Sequence, residues 1–184
     1  ERSLQRLKLD RIDLYLLHWR GEYALAETLA GFAQLQSRGL IRHWGVSNFD
    51  VSDLEDLFAL PGGSACATNQ VYYSLGVRGV EFDLLPWQAR HRLPLMAYSP
   101  IDQGALGGHP ALQRIGQRLG VSAAQVALAW VLRQLEVIAI PKAVRTAHLQ
   151  DNLAAAQLQL SASDLQALDA AFAPPGRKQP LAMI

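Results

Sequence analysis

Five short apolar runs in this 184-residue chain each end in side chains able to make hydrogen bonds. The first closes on His18-Trp19 and the second on Ser47-Asn48. The third carries Asn69-Gln70, the fourth reaches Tyr98-Ser99 and the fifth Pro141-Lys142. Ser, Asn and Gln offer the mixed donors and acceptors that pair with a carboxamide. A tyrosine ring gives a flat heterocycle a stacking face, and a lysine beside a helix N-terminus suits a phosphate. A histidine N–H can orient or polarise a carbonyl. Each residue alone has a plainer reading. His18 could be a satisfied histidine at a strand end, Ser47-Asn48 a helix N-cap pair, Tyr98 core packing and Lys142 a solvated lysine. Together they fit a nicotinamide dinucleotide better than a sugar or a metal ion.

These residues need elements to position them. Strands are predicted over residues 12–17, 43–46, 67–72, 95–98 and 137–140, separated by helical spacings. Leu4 and Leu7 read as the end of an amphipathic helix. Leu25, Leu29, Phe32 and Leu35 lie on one helix face, with Gly39 at the C-cap. Ser52 and Glu55 have capping-box spacing ahead of Leu54, Leu57 and Phe58. A helix is expected through Phe82, Leu85 and Ala89. After the Gly-rich stretch 102–108 come two more helices, the second opening on Ser122 and Gln125 and running through Val126, Ala129, Trp130 and Val131. Thr146 is expected to cap the next helix, and Ser161 with Asp164 the last, through Leu165, Leu168 and Phe172.

Alternating strands and helices indicate an α/β fold with a parallel sheet. A closed (β/α)8 TIM barrel takes roughly 250 residues, and a doubly wound sheet would need a Gly-x-Gly-x-x-Gly turn that no strand has. The expectation is an incomplete barrel of about five C-terminal βα units, a single domain over residues 1–184 with a tail at 173–184. In such barrels the C-terminal strand ends form the mouth where chemistry occurs.

Composition narrows the classes. Lys plus Arg total 17 against 16 Asp plus Glu, and half the residues are apolar. That balance gives no support to nucleic-acid or membrane-surface partners. No apolar run nears the ~20 residues of a membrane span, and no signal-peptide pattern opens the chain; the expected location is the cytoplasm. Cys66 has no disulfide or metal-site companion. Trp44, Trp87 and Trp130 are expected in the core, and His43, His91 and His109 exposed without ligand spacing. The chain opens on Glu1 in mid-pattern, so a truncated or processed protein, or unobserved leading residues, is expected.

Leu17-His18-Trp19, Gly45-Val46-Ser47-Asn48-Phe49, Asn69-Gln70-Val71, Ala97-Tyr98-Ser99-Pro100 and Ile140-Pro141-Lys142 resemble, in order and spacing, the aldo-keto reductase superfamily. Within it the likeness is to bacterial reductases of methylglyoxal and other small aldehydes. The resemblance implies a carbonyl reductase that uses NADP(H) in preference to NAD(H), acting on a small aldehyde or ketone without metal. It implies that His18 sits beside the reacting carbonyl and Trp19 lines the substrate pocket. Ser47, Asn48 and Gln70 would hold the carboxamide, and Tyr98 would stack on the nicotinamide. Ser99, Ile101 and Gln103 would lie along the pyrophosphate. Lys142 would meet the 2′-phosphate, with Asp151 and Asn152 facing the adenine end.

The chain departs from the family in several places. Ala143 stands where Ser is common. His148 replaces an arginine that grips the 2′-phosphate, leaving Arg145 to compensate. The family's His-x-Pro is here His18-Trp19-Arg20, so that loop is expected to run differently. The family's proton-donating tyrosine, its lysine and their aspartate match no residue here. Two alternatives therefore stay open: an inactive cofactor-binding module, or a barrel lyase using Lys142 for a Schiff base. Unpaired barrel edges would allow self-association.

Overall fold

Short apolar runs and amphipathic stretches resolve into five strands and eight helices in the computed structural model, which describes residues 1–184. In order these are α1 (Arg2–Leu7), β1 (Ile12–Leu17), α2 (Leu25–Ser37), β2 (Ile41–Ser47), α3 (Val51–Phe58), β3 (Asn69–Tyr72), α4 (Leu84–Arg90), β4 (Leu95–Tyr98), α5 (Pro110–Leu119), α6 (Ala123–Leu132), β5 (Val137–Ala139), α7 (Thr146–Ala155) and α8 (Ala162–Ala171). Short 3₁₀ segments occupy Gly63–Ala65, Gly79–Glu81 and Asp102–Gly108. The strands follow the sheet order β1-β2-β3-β4-β5. The chain divides into two compact units, Glu1–Gln70 and Val71–Ile184, passing from one to the other inside β3.

In the first unit, β1 runs parallel to β2, with Ile12 opposite Ile41 and Leu17 opposite Val46. β2 pairs with the start of β3 through Val46–Asn69 and Ser47–Gln70, also parallel. Helix α2 drives Phe32 onto Trp44 of β2, the rings stacked at 5.0 Å. Leu54 and Leu57 bring α3 into the same core, and each such fully buried side chain contributes about 1.5–3 kcal/mol. Gly45 is required by close approach: a Cβ there would lie 2.6 Å from the Thr68 carbonyl oxygen. Cys66 is buried with its Sγ donating to that same Thr68 oxygen at 3.4 Å, and burial pushes the thiol up to about 12.

In the second unit, β4 and β5 are parallel, with Leu95 opposite Val137. The core gathers Leu84, Leu95, Leu112 and the near-continuous buried stretch of α6 from Val126 to Val131. One charged network is buried with it. Arg78 donates to Glu81 at 2.8 Å and Asp169 at 2.8 Å, and also to the Phe172 carbonyl. Arg133 donates to Glu81 at 3.1 Å, and both guanidinium groups lie over the Trp130 ring. Buried charges are tolerated when paired and hydrogen-bonded in this way.

The structure corrects several sequence expectations. Helix α3 is capped by Asp50 with Asp53, not by Ser52 with Glu55. Both boxes are present in the sequence, but Asn48 adopts φ +60° and turns the chain immediately after β2, so the helix starts earlier and Ser52 falls in its first turn. β2 is longer than expected, because sheet pairing recruits Ile41 and Ser47. β3 and β5 are shorter, Asn69–Tyr72 and Val137–Ala139. α4 buries Leu84, Trp87 and Gln88, while Phe82 ends a 3₁₀ turn before it and is exposed. Thr146 is the first residue of α7, whose N-cap is Arg145 without a side-chain bond. His109 is half-buried: it caps α5 by accepting from the Ala111 N–H at 3.3 Å and rests on Phe172.

Candidate functional site

In the first unit the polar residues at the strand ends form one connected group. His18 and Trp19 follow directly on β1, both exposed, their rings tilted together at 5.1 Å. Ser47 is buried at the end of β2 and its Oγ donates to the Gln70 carbonyl at 2.9 Å. Asn48 sits in the left-handed region, which Asn tolerates better than most residues. Its Nδ2 donates to Ser47 Oγ at 3.3 Å and to the His18 carbonyl at 3.3 Å. Its backbone N–H donates to the Gln70 carbonyl at 2.8 Å. His18, Ser47, Asn48 and Gln70 are thus tied to one another across three strand ends.

Two residues that the sequence reading named but gave no role in the site support it. Asn69 is wholly buried, and its amide bonds both backbone groups of Phe49, fixing the turn that carries Ser47 and Asn48. Arg20 donates to Asp53 at 2.5 Å and Asp56 at 2.8 Å, anchoring the His18 loop to α3. Those carboxylates, Asp53 first, raise the Arg20 pKa. The loop that follows His18 is therefore held to α3 by a pair of ionic contacts.

In the second unit, Tyr98 ends β4, half-buried, with its ring stacked on Tyr72 at 5.4 Å and 18°. Burial raises its phenol pKa, and a backbone hydrogen bond from Ile184 partly opposes that rise. The loop behind it is unusual: Ser99, Asp102 and Gln103 take φ values of 47°, 53° and 53°, with Gly104 at 91°. A non-glycine residue in that region costs roughly 1–2 kcal/mol, so the surroundings must hold it. Tyr72 donates its hydroxyl to Asp102. Gly76 makes room for that carboxylate, since a Cβ would lie 2.7 Å from Asp102 Oδ2. Neither Tyr72 nor Asp102 was singled out from sequence; the period of two that places Tyr72 beside Gln70 on β3 was the available signal.

Farther along, Lys142 is exposed between β5 and α7. Arg145 caps α7 and donates to His148 Nε2 at 2.9 Å, so that nitrogen is the acceptor. Asp151 and Asn152 lie one turn beyond on the same helix, Asp151 exposed and Asn152 half-buried. The helix start, the lysine and the Arg145–His148 pair make this a cationic, solvent-facing end. No group of three or more His, Cys, Asp or Glu side chains is placed to hold a metal ion.

The family model for the aldo/keto reductases matches residues 1–173, and the chain belongs to the aldo/keto reductase family. Among curated relatives, it is 48% identical over 189 residues to the methylglyoxal reductase YeaE of Escherichia coli K12, covering 100% of this chain and 66% of that protein. It is 35% identical over 170 residues to the glyoxal reductase of Bacillus subtilis 168, covering 92% of this chain and 60% of that one. Among solved structures, an aldo-keto reductase from Klebsiella pneumoniae in complex with NADPH superposes with a TM-score of 0.97 at 45% identity, covering 99% of this chain and 66% of that one. The chain thus spans a little under two thirds of the length of these relatives.

Proposed function

We propose that the chain serves an NADPH-dependent carbonyl reductase acting in the cytoplasm on small aldehydes or ketones of the methylglyoxal class. On this reading its five strands are consecutive units of a (β/α)8 barrel, and residues 1–184 fold as one domain with a tail from 173. The observation that carries the reading is the linked set at three strand ends, in which Ser47 Oγ donates to the Gln70 carbonyl and Asn48 Nδ2 donates to Ser47 Oγ and to the His18 carbonyl. The Ser47 hydroxyl and Asn48 carboxamide fixed there, with the carboxamide that Gln70 adds on the neighbouring strand, are a chemical complement to the carboxamide of nicotinamide. The NADPH complex of the Klebsiella relative and the activity named for the Escherichia coli relative support the same choice.

When bound, the dinucleotide supplies the hydride. Ser47, Asn48 and Gln70 hold the carboxamide and so select the ring face turned to the substrate. Tyr98 offers its ring as the stacking platform. Ser99, Ile101 and Gln103 line the diphosphate, and Lys142, Arg145 and His148 meet the 2′-phosphate. Asp151 and Asn152 face the adenine end. His18 orients the carbonyl through a ring N–H, and Trp19 lines the substrate pocket. The family's proton-donating tyrosine, with its lysine and aspartate, has no counterpart among these residues, so the chain's own part is binding and orientation.

The test is calorimetric titration of the chain with NADPH and with NADH. Saturable binding with NADPH the tighter ligand is expected. Binding of neither dinucleotide overturns the reading.

A further inference from the structure

We propose that Tyr72 and Asp102 form a positioning pair: the Tyr72 hydroxyl tethers the Asp102 carboxylate, and the tether holds the loop from Ser99 to Gly104 in the shape that receives the diphosphate of a dinucleotide. This inference rests on the dinucleotide reading above.

The loop cannot be relaxed on its own terms. Three non-glycine residues and one glycine within six positions take left-handed φ, at Ser99, Asp102, Gln103 and Gly104. Local backbone bonds are few: Asp102 N–H donates to the Ser99 carbonyl and Gly104 N–H to the Ile101 carbonyl, both at 2.9 Å. Such conformations persist only where the surroundings over-determine them, and Asp102 is where the surroundings reach in. Its Oδ1 accepts from the Tyr72 hydroxyl. Its Oδ2 fits against Gly76, where an added Cβ would lie 2.7 Å away and push it aside. Tyr72 is in turn fixed by stacking on Tyr98. One tyrosine thus supports the ring platform with its face and the diphosphate loop with its hydroxyl. Burial first, and the Asp102 carboxylate second, push the Tyr72 phenol up to about 12, so it remains a donor at neutral pH.

The pair also explains an otherwise awkward choice. A carboxylate in a loop that lies along a diphosphate repels it, so its presence there calls for a separate task. Holding the loop is that task, and it needs an acceptor rather than a charge. An ordered loop binds without the entropic cost of ordering it first.

Tyr72→Phe removes the hydroxyl and keeps the stacked ring. Asp102→Ala removes the acceptor, whereas Asp102→Asn keeps it and drops the charge. Two measurements on the full chain decide: amide hydrogen exchange at Asp102 and Gly104 in the free protein, and titration with NADPH and with ADP, which carries the adenosine and diphosphate without the nicotinamide riboside or the 2′-phosphate. Tyr72→Phe and Asp102→Ala are expected to speed exchange and to weaken both ligands about 3- to 10-fold. Asp102→Asn should exchange like the parent and bind as tightly or more tightly. Parent-like exchange in Tyr72→Phe overturns the tether. Faster exchange with parent-like affinity overturns the positioning role. Failure of Asp102→Asn to rescue binding also counts against it. If the parent binds no NADPH, the dinucleotide reading fails and the positioning role fails with it. Should Tyr72→Phe not fold, the contrast between the two Asp102 variants carries the test.

Discussion

Asn69 holds Phe49 by both of that residue's backbone groups, donating from Nδ2 to its carbonyl at 2.8 Å and accepting from its N–H on Oδ1 at 3.3 Å. The amide acts as a short stretch of extra sheet, continuing the pairing of β2 with β3 past the point where β2 ends. Two residues proposed to grip the cofactor, Ser47 and Asn48, are thereby built into a rigid turn.

Removal of that amide should be costly. Asn69→Ala leaves buried backbone groups without partners, at about 1–3 kcal/mol for each group. Urea unfolding should show a loss of about 2–4 kcal/mol. A loss below ~0.5 kcal/mol would show that the turn holds itself.

Gly45 and Gly31 make a controlled pair. A methyl at Gly45 meets the Thr68 backbone oxygen at 2.6 Å, whereas one at Gly31, within α2, meets nothing within 4 Å. Gly45→Ala should destabilise by about 1–3 kcal/mol, and Gly31→Ala should stabilise by about 0.5–1 kcal/mol. Thermal melts that rank the two the other way would refute the close approach of the Thr68 carbonyl to β2.

Asp164 sets an acid limb of stability. Burial pushes its carboxyl up, but hydrogen bonds from Ser161 and Arg118 outweigh this and leave its pKa below the ordinary carboxylate range. A carboxyl whose folded pKa lies below its unfolded value stabilises the fold above the unfolded value, ~4. That contribution fades as pH falls toward the folded value. Arg118 is half exposed, so screening keeps its share small. Asp164→Asn should cost about 1 kcal/mol at neutral pH, mainly through the helix cap. It should also flatten the loss of stability between about pH 4 and the acid end. An unchanged acid limb in chemical denaturation would rule the assignment out.

Lys142 should discriminate between the two dinucleotides. A charge-assisted contact with a 2′-phosphate contributes about 1.5–3 kcal/mol, so Lys142→Met should weaken NADPH at least about tenfold and leave NADH unchanged. Equal losses for both would put the phosphate elsewhere, with the Arg145–His148 pair the first place to look.

The chain of 184 residues should not turn over. On the proposed reading, in which these residues bind and orient but do not donate the proton, NADPH oxidation with methylglyoxal should fall far below ordinary enzyme rates of ~1–10³ per second. Turnover within that range would mean that another group, within these residues, donates the proton.

Much of the architecture was legible because it is repeated: apolar runs set β1 and β4 to the residue, and the Ser122–Gln125 and Ser161–Asp164 boxes marked two helix starts. What failed was choice among near neighbours. Asp50–Asp53 and Ser52–Glu55 both have capping-box spacing, but the helix begins at Val51 after the left-handed turn at Asn48, so only the first forms the box. The half-buried face of α4 depends on where a 3₁₀ turn lets the helix begin. Within the site, residues at strand ends could be found because position and chemistry coincide. Their supports could not, because the Tyr72–Asp102 and Arg20–Asp53 contacts join residues 30 and 33 positions apart, and nothing local records such a partnership.

Cys66 leaves the protein with one further property. At neutral pH a thiol held near 12 is ionised in only roughly one molecule in 10⁵, and only the thiolate attacks electrophiles. Burial thus keeps the chain's one sulfhydryl out of reach of electrophiles, without giving up the atom's packing. The same seclusion makes Cys66 a reporter. A thiol reagent can label it only when residues around Gly45 and Thr68 open, so the labelling rate becomes a clock for excursions of the first unit from its native state.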